Sequence, residues 1–159
     1  MSKPRLGVFV DVQNIYYTTR DIYQRRFNYR ALWEELSQEF DIVVANAYAI
    51  HRGDDGQFKF QNALKHIGFN VRLKPWISRK DGSAKGDWDV GIAIDVLDAA
   101  PDLDVITLLS GDGDFDLLLE RVKRVNKIPV HVYGVPGLTA GTLIDSASVF
   151  HPITESLLL

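Results

Sequence analysis

Cysteine is missing from all 159 residues. Its absence excludes a disulfide scaffold, a thiolate zinc site and a cysteine nucleophile, and it suits a reducing cytoplasm, the location expected here. Long apolar runs are missing too. None reaches 18 residues, so no segment is expected to cross a membrane. The start, MSKPRLGVFVDVQN, has too short an apolar stretch and no small-residue cleavage site for a signal peptide. Surplus positive charge is lacking: 18 Lys and Arg stand against 21 Asp and Glu, a net charge of -3. That weighs mildly against a nucleic-acid binder, though a cluster of metal-binding acids would lower the net charge without forbidding a local basic surface. Repeats, low-complexity tracts and long linkers are absent as well. What remains is 46% hydrophobic and 25% charged, an ordinary balance for one globular domain over 1–159, with a core at about 5–150 and a tail over 151–159.

Short apolar runs alternate with longer amphipathic ones. RLGVFVD, DIVVANAYAI, NVRLKPWI, DVITLLS and IPVHVYGV read as strands. Residues 12–24, 29–40, 55–68, 88–99 and 114–126 read as helices, with Gly68 as a stop. GTLIDSASVFHPI predicts a short helix and a last strand, and SRKDGSAKGDW a polar loop. This order implies βαβ units and a three-layer α/β/α domain with a mainly parallel central sheet. In such folds ligands bind outside the carboxyl ends of the strands, where the strand order reverses.

Acids gather at those ends. Asp11 closes the first strand, Asp112 follows the fourth, and Asp114 opens the next helix. KGDWDVGIAIDVL alternates like a strand, but its length and lack of turn signals favour a helix with Val90, Ala93, Ile94 and Leu97 on its buried stripe. Asp89 then lies at the edge of that stripe near the helix N-terminus, while Asp95 and Asp98 fall on a solvated face. Each acid could simply cap a helix; three segments converging on one sheet end argue for more. Crowded carboxylates need compensation, and oxygen-rich sites suit Mg²⁺ or Mn²⁺, ions that activate water and support displacement at phosphorus. Asp116 reads as a surface acid. DGDFD imitates a calcium loop, but leucine stands at 117 and lysine at 123 where that loop needs glycine and glutamate.

Lys74, Trp76, Arg79, Lys80, Lys85 and Trp88 interleave cations with aromatics, as a nucleic-acid contact would, or form a solvated loop with two core-facing tryptophans. Lys85 is the best placed of them. Arg121, Lys123, Arg124 and Lys127 complement a helix C-terminus and read as structural. His51, His66, His131 and His151 show no metal-ligand spacing. The tail SLLL can pack on its own domain or on another chain, so a homo-oligomer is left open.

FVDVQN, KGDWDVGIAIDVL and SGDGDFDLLL together resemble the NYN domain family, including LabA-like proteins, within the PIN-like nuclease superfamily. The resemblance runs from about residue 5 to 150. It implies a PIN-like α/β/α fold and a metal-dependent ribonuclease acting on RNA, most readily single-stranded. The family acids fall on Asp11, Asp89, Asp112 and Asp114, as catalytic residues and metal ligands for Mg²⁺ or Mn²⁺. Asn14, Lys85 and Ser110 fall on supporting, substrate-binding positions. Asp116 departs from the apolar residue common there. Some relatives are regulatory, so a non-catalytic RNA-binding module is the alternative. A phosphoacceptor receiver is disfavoured because VDVQN lacks the acid pair and HVYGVPG the lysine; a D-x-D phosphatase fails at Gln13.

Overall fold

The computed structural model describes residues 2–51, 54–75, 77–78, 84–85 and 87–159. Six strands form the main sheet: β1 (Arg5–Asp11), β2 (Asp41–His51), β3 (Asn70–Pro75), β6 (Val105–Leu109), β7 (Val130–Gly134) and β8 (Val149–Pro152). Their order is β3-β2-β1-β6-β7-β8. Every pairing in it is parallel, which sharpens the expected mainly parallel sheet.

β1 explains the layering. Its side chains alternate between faces, as in any strand. Leu6, Val8 and Val10 enter one core with Ile15, Leu32 and Leu64; Phe9 enters the other with Ile92 and Leu108. A strand buried on both sides must be apolar throughout, which is why RLGVFVD shows no polar alternation. Full burial of each such side chain contributes about 1.5–3 kcal/mol. The first core is covered by α1 (Val12–Tyr23), α2 (Tyr29–Glu39) and α3 (Asp55–Ile67), the second by α4 (Asp89–Ala99), α5 (Asp116–Arg121) and α6 (Gly141–Ser146).

Local chemistry sets the boundaries. Asp11, Asn28 and Asp54 cap α1, α2 and α3 by accepting the amides of Asn14, Ala31 and Gln57. Gly68 ends α3 as expected, with φ of +136° and a Trp33 ring carbon 2.7 Å from where a Cβ would stand.

Three expectations are corrected. The loop over 78–88 contains an antiparallel pair, β4 (Ile77–Ser78) with β5 (Ala84–Lys85); Trp76, Arg79 and Lys80 lie outside the described residues. The helix expected over 114–126 is a 3₁₀ turn (Gly113–Phe115), then α5, then a π turn (Val122–Asn126) that Lys127 ends in the left-handed region. Helix α4 is rotated from the expected stripe. Ile92 and Val96 are buried, whereas Val90 is 71% and Ile94 53% exposed. Trp88 causes this: its ring tucks beneath the helix start, donating Nε1–H to the Ala49 carbonyl at 2.9 Å. Asp95 consequently faces inward. It accepts from the Tyr48 hydroxyl at 2.8 Å and pairs with Arg72, so it is not the solvated acid expected.

The tail packs on its own chain. Ile153, Leu157 and Leu158 join the first core, and the Asn28 amide donates to the Leu157 carbonyl at 2.8 Å. No helix among the described residues is long and apolar enough to cross a membrane.

Candidate functional site

The sheet reverses its winding between β1 and β6: chain order runs outward to β3 on one side and to β8 on the other. Val10 pairs with Leu109, so Asp11 and Ser110 come next on adjacent strands and open onto one crevice. Helix α4 starts at the same place and brings Asp89.

Asp11, Asp89 and Asp112 meet there, with one carboxylate oxygen of each lying within 4.8 Å of the others. Short bonds hold them. Ser110 Oγ donates to Asp11 Oδ2 at 3.0 Å and accepts from the Asp112 amide at 3.1 Å. Asn14 Oδ1 accepts from the Gly111 amide at 2.8 Å, tying the start of α1 to the turn after β6. That turn has no slack. A Cβ on Gly111 would stand 2.5 Å from the Leu138 carbonyl oxygen, and the Gly111 carbonyl accepts from the Ala140 amide at 3.0 Å.

The charges are poorly compensated. Burial pushes the Asp11 carboxyl up to about 6, against the pull of its Ser110 and Asn14 hydrogen bonds. Asp89 is pushed up to about 7, by burial first and then by its hydrogen bond and charge contact with Asp112. Asp11 and Asp89 hold protons more tightly than ordinary carboxyls, and the same uncompensated negative charge favours a cation. The cluster could hold a metal ion, and an all-carboxylate set is the donor chemistry of hard divalent cations.

The remaining expected residues are placed unequally. Asp114 is exposed at the rim, outside the three; its amide donates to Asp112 Oδ1 at 2.9 Å, so Asp112 also caps the turn that follows. Asp116 is half-buried and accepts the Leu117 amide. Lys85 contributes its backbone to β5, with its side chain outside what the structure describes. Lys74 is close by: Nζ donates to the Asp87 carbonyl at 3.2 Å and stands 4.5 Å from the Trp88 ring centre. Asp87 escaped the sequence reading. It accepts from the Asp89 amide at 3.4 Å, and its charge raises the proton affinity of both Asp11 and Asp89. The signal was present in KGDWD, where two acids share one helix start.

The NYN domain matches residues 5–155. The low amplitude and bright protein LabA of Synechococcus elongatus is 29% identical over 162 residues, covering 95% of this chain and 84% of its own. A crystal structure of a Vibrio parahaemolyticus protein of unknown function superposes with a TM-score of 0.94 at 50% identity, covering 99% of this chain and 97% of that one.

Proposed function

The chain belongs to the NYN domain family, among the PIN-like nucleases, and from that premise we propose that it is a metal-dependent ribonuclease hydrolysing phosphodiester bonds of single-stranded RNA. The observation that carries the reading is the meeting of Asp11, Asp89 and Asp112, from three separate elements, at the reversal point of the sheet.

In this reading the three carboxylates hold Mg²⁺ or Mn²⁺. When bound, the cation supplies Lewis-acid stabilisation of phosphate charge and a lowered pKa for water. The chain's own residues do the positioning. Ser110 holds Asp11 and the Asp112 backbone in one arrangement, and Asn14 locks the Gly111 turn beside them. Asp114, at the rim, faces incoming substrate or a second cation. Lys85, next to the centre in sequence, contacts the RNA backbone. Hydrolysis joins the oxygen of water to phosphorus, breaks one P–O bond, and gives the departing sugar oxygen a proton.

The test is incubation with labelled single-stranded RNA and Mn²⁺. Cleavage that EDTA and Asp112→Asn both abolish is the expected result; cleavage surviving both would sink the assignment. Binding without turnover would instead mark a non-catalytic RNA-binding module.

A further inference from the structure

We propose that the outer face of α1 is a binding track for single-stranded RNA, carrying the strand away from the acidic centre; the identity of the ligand rests on the RNA reading above. The helix is joined to the centre at its first turn, through Asp11 and Asn14. With a rise of 1.5 Å per residue, Arg20 lies about 9 Å along the axis from Asn14 and Gln24 about 15 Å. Ile15, Thr18 and Thr19 face the core, which leaves Tyr16 and Arg20, with Gln24 just past the helix end, exposed on the outer side and Tyr17 partly exposed between them.

Two kinds of group recognise single-stranded RNA without reading its sequence: rings on which bases stack, and cations that meet phosphates. Both are here. Tyr16 is 50% exposed, a large ring with no place in the core. Its centre is 5.3 Å from that of Tyr17 in an edge-on arrangement, and the Arg20 guanidinium carbon stands 5.6 Å and 4.8 Å from the two ring centres. The track widens into a cavity of about 380 Å³ lined by Tyr16, Arg20, Gln24, Arg25, Arg26 and Leu159. Three arginines within seven residues, on a chain of net charge -3, form a local reversal of sign.

The arginines are free to exchange partners. Arg20 pairs with Asp21 at 3.3 Å and Arg25 with Glu155 at 3.9 Å, both at exposed positions where such pairs hold weakly. Arg26 makes no side-chain ion pair among the described residues. Arg25 also donates Nε–H to the Leu159 carbonyl at 2.8 Å, which leaves its outer nitrogens for a phosphate. The guanidinium forks suit phosphate oxygens better than ammonium groups would.

The experiment is fluorescence anisotropy with labelled single-stranded RNA of about 12 nucleotides in EDTA, so that binding is read without turnover. Tyr16→Ala, Arg20→Glu and Arg26→Glu are compared with Arg124→Glu, an equal charge change beyond α5. The expected result is about 10-fold weaker binding for each arginine variant, with the slope of log affinity against log salt falling by about 0.7 per lost contact. Tyr16→Ala weakens binding about 5-fold or more with the slope intact. Wild-type affinity and slope in the variants, an equal loss in Arg124→Glu, or no RNA binding by the wild type would each overturn the proposal. The two readings fail separately. Cleavage by the wild type with variants binding normally removes the track and keeps the nuclease. Variant-sensitive binding without Mn²⁺-dependent cleavage removes the nuclease and keeps the track.

Discussion

The Ser110 hydroxyl stands between two acids, donating to one and accepting from the backbone of the other. Removing it leaves Asp11 with only the Asn14 amide to oppose its burial, so its proton affinity rises further. Ser110→Ala is therefore expected to weaken Mn²⁺ binding about 10- to 100-fold, the usual effect of losing a ligand's supporting bond, measured by metal titration at fixed pH. The acids also predict a pH dependence. Folded Asp11 and Asp89 titrate near 6 and 7, above the 3.8 of an unperturbed carboxyl. Between these values the folded chain binds more protons than the unfolded one, so stability is present below about 3.8 and declines as pH rises through 6 and 7. In EDTA the melting temperature should fall by about 5 °C from pH 5 to pH 8, and less in Asp11→Asn. Added Mn²⁺ should recover it at pH 8. At this scale much of the site was legible: Asp11, Asp89 and Asp112 read as strand-end and helix-start acids. Asp114 read the same way; it is exposed, and its amide donates to Asp112 Oδ1. Local spacing cannot separate a half-buried carboxylate of the cluster from an exposed one two residues away.

Helix α4 carries the same lesson one level up. Apolar residues at 90, 92, 93, 94, 96 and 97 permit two different buried faces, and periodicity cannot choose between them. The choice is made at long range, by Trp88 reaching Ala49 and by Asp95 meeting Tyr48 and Arg72 from β2 and β3. These contacts fix the packing of the helix that begins at Asp89. Asp95→Ala, which leaves a half-buried arginine without its ion pair and the Tyr48 hydroxyl with no acceptor for its proton, is expected to cost about 1–3 kcal/mol in urea unfolding. Val90→Gln and Ile94→Gln, at exposed positions, should stay within about 0.5 kcal/mol of the parent. The opposite ranking would restore the stripe read from the sequence. The π turn after α5 had no counterpart in the sequence reading, since VKRVN lacks proline or glycine to mark it.

For the molecule as a whole, strand and helix order was readable because nearly every element is bounded by a cap, a glycine or a change of period. The tail was not. HPITESLLL shows no clear period, and its role depends on partners more than a hundred residues earlier: the Tyr23 hydroxyl donates to the Ile153 carbonyl at 2.6 Å, and Leu158 bridges to Phe27. Leu158→Ala is expected to destabilise the fold by about 2–4 kcal/mol, measured by denaturant unfolding, with the acidic centre intact at low temperature.

The placement of β1 between β2 and β6 has a consequence for how the chain is made. Synthesis delivers β1, β2 and β3 first, and these can pair among themselves, but the other side of β1 stays an open edge until residues 105–109 emerge. An apolar strand with an unpaired edge is a template for the wrong neighbour. The same delay governs chemistry. Asp11 waits for a partner made 101 positions later, Asp112, so a nascent or truncated chain carries the risk of the open edge without the assembled acidic centre. The cation-binding geometry arises together with the closing of the sheet.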